Sequence, residues 1–126
     1  MTTGSPDSRV LPSTPVSLPD SGEVMVGFDE GVRLAVDAAT GAFTALVKAD
    51  GYAAPFSQSL MWYTGHEGDN HNAENRASGA YIFRPLEAEP NAISDAVETE
   101  VYEGDLFWEV RTVYADFASQ VARIYK

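Results

Sequence analysis

Val32-Arg33-Leu34-Ala35-Val36-Asp37-Ala38-Ala39-Thr40-Gly41-Ala42-Phe43-Thr44-Ala45-Leu46-Val47-Lys48 is the stretch whose reading decides the fold. Val32, Leu34 and Val36 alternate with Arg33, Ala35 and Asp37, the period of two expected of a half-buried strand. Asp37 to Gly41 places an acid first and a glycine last, which suits a type I turn closed by a residue of positive φ. Ala42 to Lys48 is then the returning strand of a hairpin. Just upstream, Val24-Met25-Val26 is a short apolar run followed by a turn at Asp29-Glu30-Gly31.

The same period returns further along. Val97, Thr99 and Val101 alternate with Glu98, Glu100 and Tyr102, and Gly104-Asp105 supplies a tight turn. Leu106, Trp108, Val110, Thr112 and Tyr114 run back opposite Glu109 and Arg111, which predicts a second hairpin with Glu and Arg on its wet face. Between the hairpins, Asp50-Gly51 is a turn and Phe56 to Tyr63 reads as a mostly buried strand. Residues 64–78 are polar and turn-rich, hence a surface loop. Ala80-Tyr81-Ile82-Phe83 reads as a short strand ended by Arg84-Pro85, because proline cannot donate to a ladder. Tyr81 and Phe83 are thereby expected in the core, and residues 86–95 form a second acidic loop. No internal repeat is visible.

Both ends need separate reading. In residues 1–22, Pro6, Pro12, Pro15 and Pro19 alternate with Ser, Thr and Asp, a composition that favours extended, unpacked chain. The span is read as a disordered linker, with a boundary near Ser21-Gly22 and a β domain over 23–126. At the other end, Asp116 can cap a helix that places Phe117, Val121, Ile124 and Tyr125 on one face. Read as a strand, Val121, Arg123 and Tyr125 instead oppose Ala122 and Ile124. Propensity leans slightly to helix.

Composition sets limits. The chain has 126 residues, 44% of them hydrophobic and 11% aromatic, enough for one modest core. With 19 acidic against 8 basic residues its net charge is −11, which argues against nucleic acid and against anionic membrane surfaces as partners. There is no cysteine, so neither a disulfide framework nor thiolate chemistry. No Asn-x-Ser/Thr sequon occurs, and the first eight residues have neither the basic nor the apolar region of a signal peptide.

Three groupings invite chemistry. His66 and His71, with Glu67, Asp69 and Glu74, suggest a metal site, but all belong to one polar loop and lack a matching set on rigid elements. A solvated loop is the expectation. Glycosidases place paired carboxylates across the scissile bond, yet Asp29, Glu30, Glu98, Glu100, Glu103, Asp105 and Glu109 offer no pair singled out by spacing. Trp62 with Tyr63, and Trp108 with Tyr102 and Tyr114, are candidates for a sugar-stacking platform, although aromatics at alternating strand positions are more often core. No catalytic or metal-ligating residue is assigned.

The run Ser78-Gly79-Ala80-Tyr81-Ile82-Phe83-Arg84-Pro85 resembles a stretch of the lysosomal-type α-mannosidases of glycoside hydrolase family 38. Val32 to Asp37 with Thr40-Gly41, Met61-Trp62-Tyr63, Gly68-Asp69-Asn70, Glu109-Val110 and Ser119 to Tyr125 are similar to the family in order and spacing. The resemblance implies an all-β fold: antiparallel hairpins that open a larger β-sandwich in the region after the catalytic domain. It further implies that Ser119 to Tyr125 is a strand, and that the chain is a piece of a longer polypeptide whose remaining parts are its partners. For the parent it implies hydrolysis of terminal α-mannosides on N-glycan-derived oligosaccharides, a zinc cofactor in the catalytic domain, and a lysosomal, vacuolar or secreted location. The family's zinc ligands begin with a His-x-Asp motif. His66 is followed by Glu67-Gly68 and His71 by Asn72-Ala73, so neither carries that role here. The alternative reading is a stand-alone carbohydrate-binding sandwich using Trp62 or Trp108.

Overall fold

A computed structural model describes residues 13–93, 96–115 and 118–126, and at position 97 the backbone alone. The prolines of residues 1–12, Ser94 and Asp95 of the acidic loop, and the Asp116-Phe117 cap lie outside the described residues. Those described contain ten strands and no helix, and every strand pairing is antiparallel. The chain is all-β. It divides into two units, one formed by the chain on either side of a segment from Ser59 to Ile93, the other by that segment.

The first unit is a sandwich of two four-stranded sheets. One takes β2 (Glu23–Val26), β3 (Arg33–Asp37), β4 (Phe43–Val47) and β5 (Ala53–Pro55) in sequence order. The other has the order β1 (Ser13–Val16), β8 (Ala96–Gly104), β9 (Phe107–Tyr114) and β10 (Ser119–Tyr125). The β8–β9 hairpin alternates and has one apolar face, whereas the β2–β5 sheet also buries Ala35, Ala45 and Val47 in a second cluster with Met25. Val26, Leu34 and Val36 from the first sheet meet Val101 and Val110 from the second in one buried cluster, with Val16, Phe43, Trp108 and Ile124 packed around it.

The turn at Asp37 follows its sequence. The Asp37 carboxylate accepts the Ala39 and Thr40 amides at 2.9 and 3.0 Å, and Gly41 has φ +73°. Gly41 also sits against the opposite sheet: an ideal Cβ there would lie 2.3 Å from Thr99 Oγ1. Only glycine meets both demands.

Several expectations are corrected. Ser13–Val16, inside the span read as linker, is a strand paired with Val101–Gly104. Pro15 is tolerated because β1 is an edge strand, and Val16 and Leu18 gain burial against the core. Phe56 to Tyr63 is not one buried strand. Proline ends β5 at position 55, and only β6 (Met61–Trp62) pairs, with β7 (Asn91–Ala92), leaving Met61 55% exposed. β7 itself interrupts the span read as an acidic loop. Ser119–Tyr125 is the strand expected from the resemblance, pairing along its whole length with β9.

Candidate functional site

The second unit, Ser59–Ile93, is organised around a loop that folds back on itself. Gly65 and Pro85 form an isolated bridge, and the Leu86 amide donates to the Thr64 carbonyl at 2.8 Å. His66 joins both arms: its amide donates to the Arg84 carbonyl, and its carbonyl accepts the Ser78 amide, each at 2.8 Å. Arg84 locks the arrangement from its side. Its amide donates to Ser78 Oγ at 3.1 Å and its guanidinium to the Ala77 carbonyl at 3.2 Å.

With residues 78 and 84 pinned together, the chain between them must turn. The Gly79 amide accordingly donates to the Ile82 carbonyl at 3.0 Å. Ala80 to Phe83 is therefore a tip, not a strand. Tyr81 is fully exposed, and Ile82 and Phe83 are 58% and 56% exposed, so the expectation that Tyr81 and Phe83 are core residues fails. The run is too short to pair once Arg84 turns back on Ala77 and Ser78. Phe83 keeps one edge contact, to Tyr63 at a ring separation of 5.7 Å. Met61, Tyr63 and Leu86 add further exposed apolar surface to the same unit.

The polar part of the loop has its own internal order. His66 Nε2 is 2.7 Å from Asn75 Oδ1, while the Asp69 and Asn72 side chains accept the amides of His71 and Glu74. Gly68, at φ +50°, lies so close to Asn75 to Ala77 that a Cβ would collide with backbone. Among the described residues no three His, Cys, Asp or Glu side chains gather as a metal would require, so a zinc ion finds no fitting ligand set in them.

The carboxylates and aromatics are dispersed by the register. Glu103 pairs with Trp108 on one face of the β8–β9 hairpin, and Tyr102 with Glu109 on the other. The proposed trio of Trp108, Tyr102 and Tyr114 is thereby split between faces. Glu109 departs from the wet-face reading: it is 4% exposed, covered by Arg111 and Arg123, both of which donate to it. Burial pushes its carboxyl upward, but the hydrogen bonds from Arg123 and Arg111 and their charges outweigh this and hold it below the usual carboxylate range. The two guanidinium groups also stack, Arg111 over Tyr102 at 4.7 Å and Arg123 over Phe107 at 5.0 Å. Tyr102 donates its hydroxyl to Glu100 at 2.8 Å, which raises the phenol above its ordinary value. Glu109, Arg111, Arg123, Tyr102 and Phe107 thus form one interlocked network across β8, β9 and β10.

The two four-stranded sheets and the hydrogen-bonded loop define an all-β module. Comparison with known proteins then gives its relationship. The family described as "Glycosyl hydrolases family 38 C-terminal domain" matches residues 29–126. Lysosomal alpha-mannosidase of Mus musculus is 32% identical over 107 residues, 84% of this chain and 10% of that protein. The Homo sapiens counterpart is 37% identical over 71 residues, 56% of this chain and 7% of that protein. Alpha-mannosidase of Canavalia ensiformis is 40% identical over 73 residues, again 7% of its own length. The chain belongs to glycosyl hydrolase family 38, within the C-terminal domain, and it spans a tenth or less of the relatives it matches.

Proposed function

We propose that this chain is a non-catalytic supporting part of an α-mannosidase that hydrolyses terminal α-mannosides of N-glycan-derived oligosaccharides. The observation that carries the reading is the display of Tyr81, Ile82 and Phe83 on a hydrogen-bonded tip. Adjacent exposed apolar side chains held in fixed geometry mark a surface that another surface covers. The matched stretch is a tenth or less of each relative's length, and the remainder of such a polypeptide, with its catalytic domain, is the occupant proposed. Zinc and the catalytic carboxylates belong to that remainder. The relatives named lysosomal support a lysosomal or secreted location, and the acid-resistant Glu109 pair suits it.

The test uses the complete polypeptide carrying Tyr81→Ser, Ile82→Ser and Phe83→Ser together. Mannosidase activity recovered after mild heating should fall, while the same triple change in the 126-residue chain should leave its melting temperature unaltered. Equal heat resistance of the altered and unaltered complete polypeptides would overturn the docking role.

A further inference from the structure

At one end of the sandwich the turn between β2 and β3 folds over the inner face of the β8–β9 hairpin. Gly27 makes this possible: it is buried at φ +131°, and a Cβ there would press to 3.0 Å on Ile124 Cγ2 of β10. The following turn is closed by the Gly31 amide on the Phe28 carbonyl at 3.1 Å. Between this turn and the cross-strand pair Glu103 and Trp108 lies a cleft of about 330 Å³, lined also by Phe28, Asp29 and Arg33. A volume of this order stands at the lower end of ligand pockets, roughly 300 to 1,000 Å³.

The lining is mixed in a specific way. Trp108 is half-buried and offers apolar surface, and Phe28 adds a second ring beside it. Arg33 is fixed by Asp29 through Nη1 at 3.3 Å, yet its Nε–H is buried without an acceptor among the described residues. Glu103 brings an exposed carboxylate. A ring to stack on, a partly exposed guanidinium and an exposed carboxylate suit a ligand with an apolar face and hydroxyls that both give and accept hydrogen bonds. A metal is not favoured, since no three ligating side chains gather there among the described residues. The carboxylates of the lining, Asp29, Glu30 and Glu103, are already met by two cations, Arg33 and the Lys126 ammonium, which stands 3.8 Å from Glu30 and 5.6 Å from the Phe28 ring centre.

We propose that this end cleft, with Trp108 as stacking surface and Arg33 and Glu103 as hydrogen-bonding groups, is a binding site for a single pyranose ring. It is separate from the Tyr81 tip and does not depend on the docking role of that surface. Mannose is chosen as the probe because the relatives are α-mannosidases.

Amide and indole shifts of the full 126-residue chain would be followed by nuclear magnetic resonance as methyl α-mannopyranoside is added. Saturable millimolar shifts are expected at the Trp108 indole N–H and the Gly27 and Phe28 amides. Glu103→Gln and Arg33→Lys should each weaken binding about fivefold or more, on the order of 1 kcal/mol, with unchanged circular dichroism. Should Arg33→Lys disturb the fold, Glu103→Gln and Trp108→Phe carry the comparison. Tyr81→Ser should leave the titration unchanged. Shifts confined to other residues, no saturation, or saturable binding of acetyl-arginine amide with none of the mannoside would each overturn the proposal.

Discussion

Arg123 on the last strand reaches Glu109 on its neighbour and donates Nε–H to Oε2 at 2.7 Å. The register sets these two side chains directly opposite one another, and Arg111 donates to the other carboxylate oxygen. A single carboxylate therefore ties β9 to β10 while being removed from water.

That geometry fixes a pH dependence. The folded Glu109 carboxyl is held below its ordinary value, so its contribution to stability is present above the unfolded value, about 4.3, and is lost only as pH falls through the lower folded value. The melting temperature of the chain should therefore gain nothing at this site from pH 5 to 7 and fall below about pH 4. Glu109→Gln should cost about 1–3 kcal/mol at neutral pH, since the carboxylate charge is lost and one of the two guanidinium donors then faces an amide NH2 in place of an oxygen, and should shrink the acid-dependent part of the melting profile. Equal acid dependence in the variant would show that other carboxylates govern it.

A second expectation separates steric from backbone effects at glycine. Gly41 and Gly51 both have positive φ, +73° and +89°, but only Gly41 faces an obstruction within 4 Å. Gly51→Ala should cost about 1 kcal/mol, the ordinary penalty for an L residue in that region. Gly41→Ala should cost roughly 2–4 kcal/mol, because the new methyl meets Thr99 Oγ1 as well. Chemical denaturation of both variants and of Gly41→Ala with Thr99→Ala checks this. The double change should recover part of the loss.

The Tyr81 tip and the sandwich core should respond oppositely to truncation. Val110 is fully buried in the cluster between the sheets, and Val110→Ala should destabilise the chain by about 2 kcal/mol through lost burial and a residual cavity. Tyr81→Ala, at a fully exposed side chain, should stay within about 0.5 kcal/mol of the parent chain. A large loss at Tyr81 in thermal melts would return it to the core.

The contrast also shows where sequence reading succeeds. The hairpins around Asp37 and Gly104 were legible because burial on one face forces a period of two, and the turns carried their own chemistry. β1 was hidden because its proline signals linker, whereas its burial depends on β8, more than eighty residues away. Ala80 to Phe83 has strand-like composition, but the Ser78–Arg84 bond closes the loop first. The burial of Glu109 depends on Arg123, fourteen residues on, and only the register reveals it. Of the end cleft only Trp108 was legible, as a candidate stacking ring; Arg33 and Phe28 carry no motif, and Gly27 brings their turn against β10.

The outer strand β10 yields the last prediction. One side of it pairs with β9, and in the order β1-β8-β9-β10 no described strand pairs with the other. Val121 and Tyr125 are 55% and 65% exposed along that strand, so an apolar edge is presented with a row of backbone groups able to pair with another chain. The net charge of −11 opposes association at long range but is screened beyond about 8 Å at physiological salt, whereas strand pairing acts at contact. The 126-residue chain should accordingly self-associate as salt and concentration rise. Val121→Lys places a charge on the strand without touching the core face, where Ala122 and Ile124 lie, and should shift the species toward monomer. Sedimentation velocity of both chains over a range of salt decides it. A monomer that stays unchanged at high concentration and high salt would show that β10 is protected by its own twist or by its neighbours, and the edge would then need no partner strand.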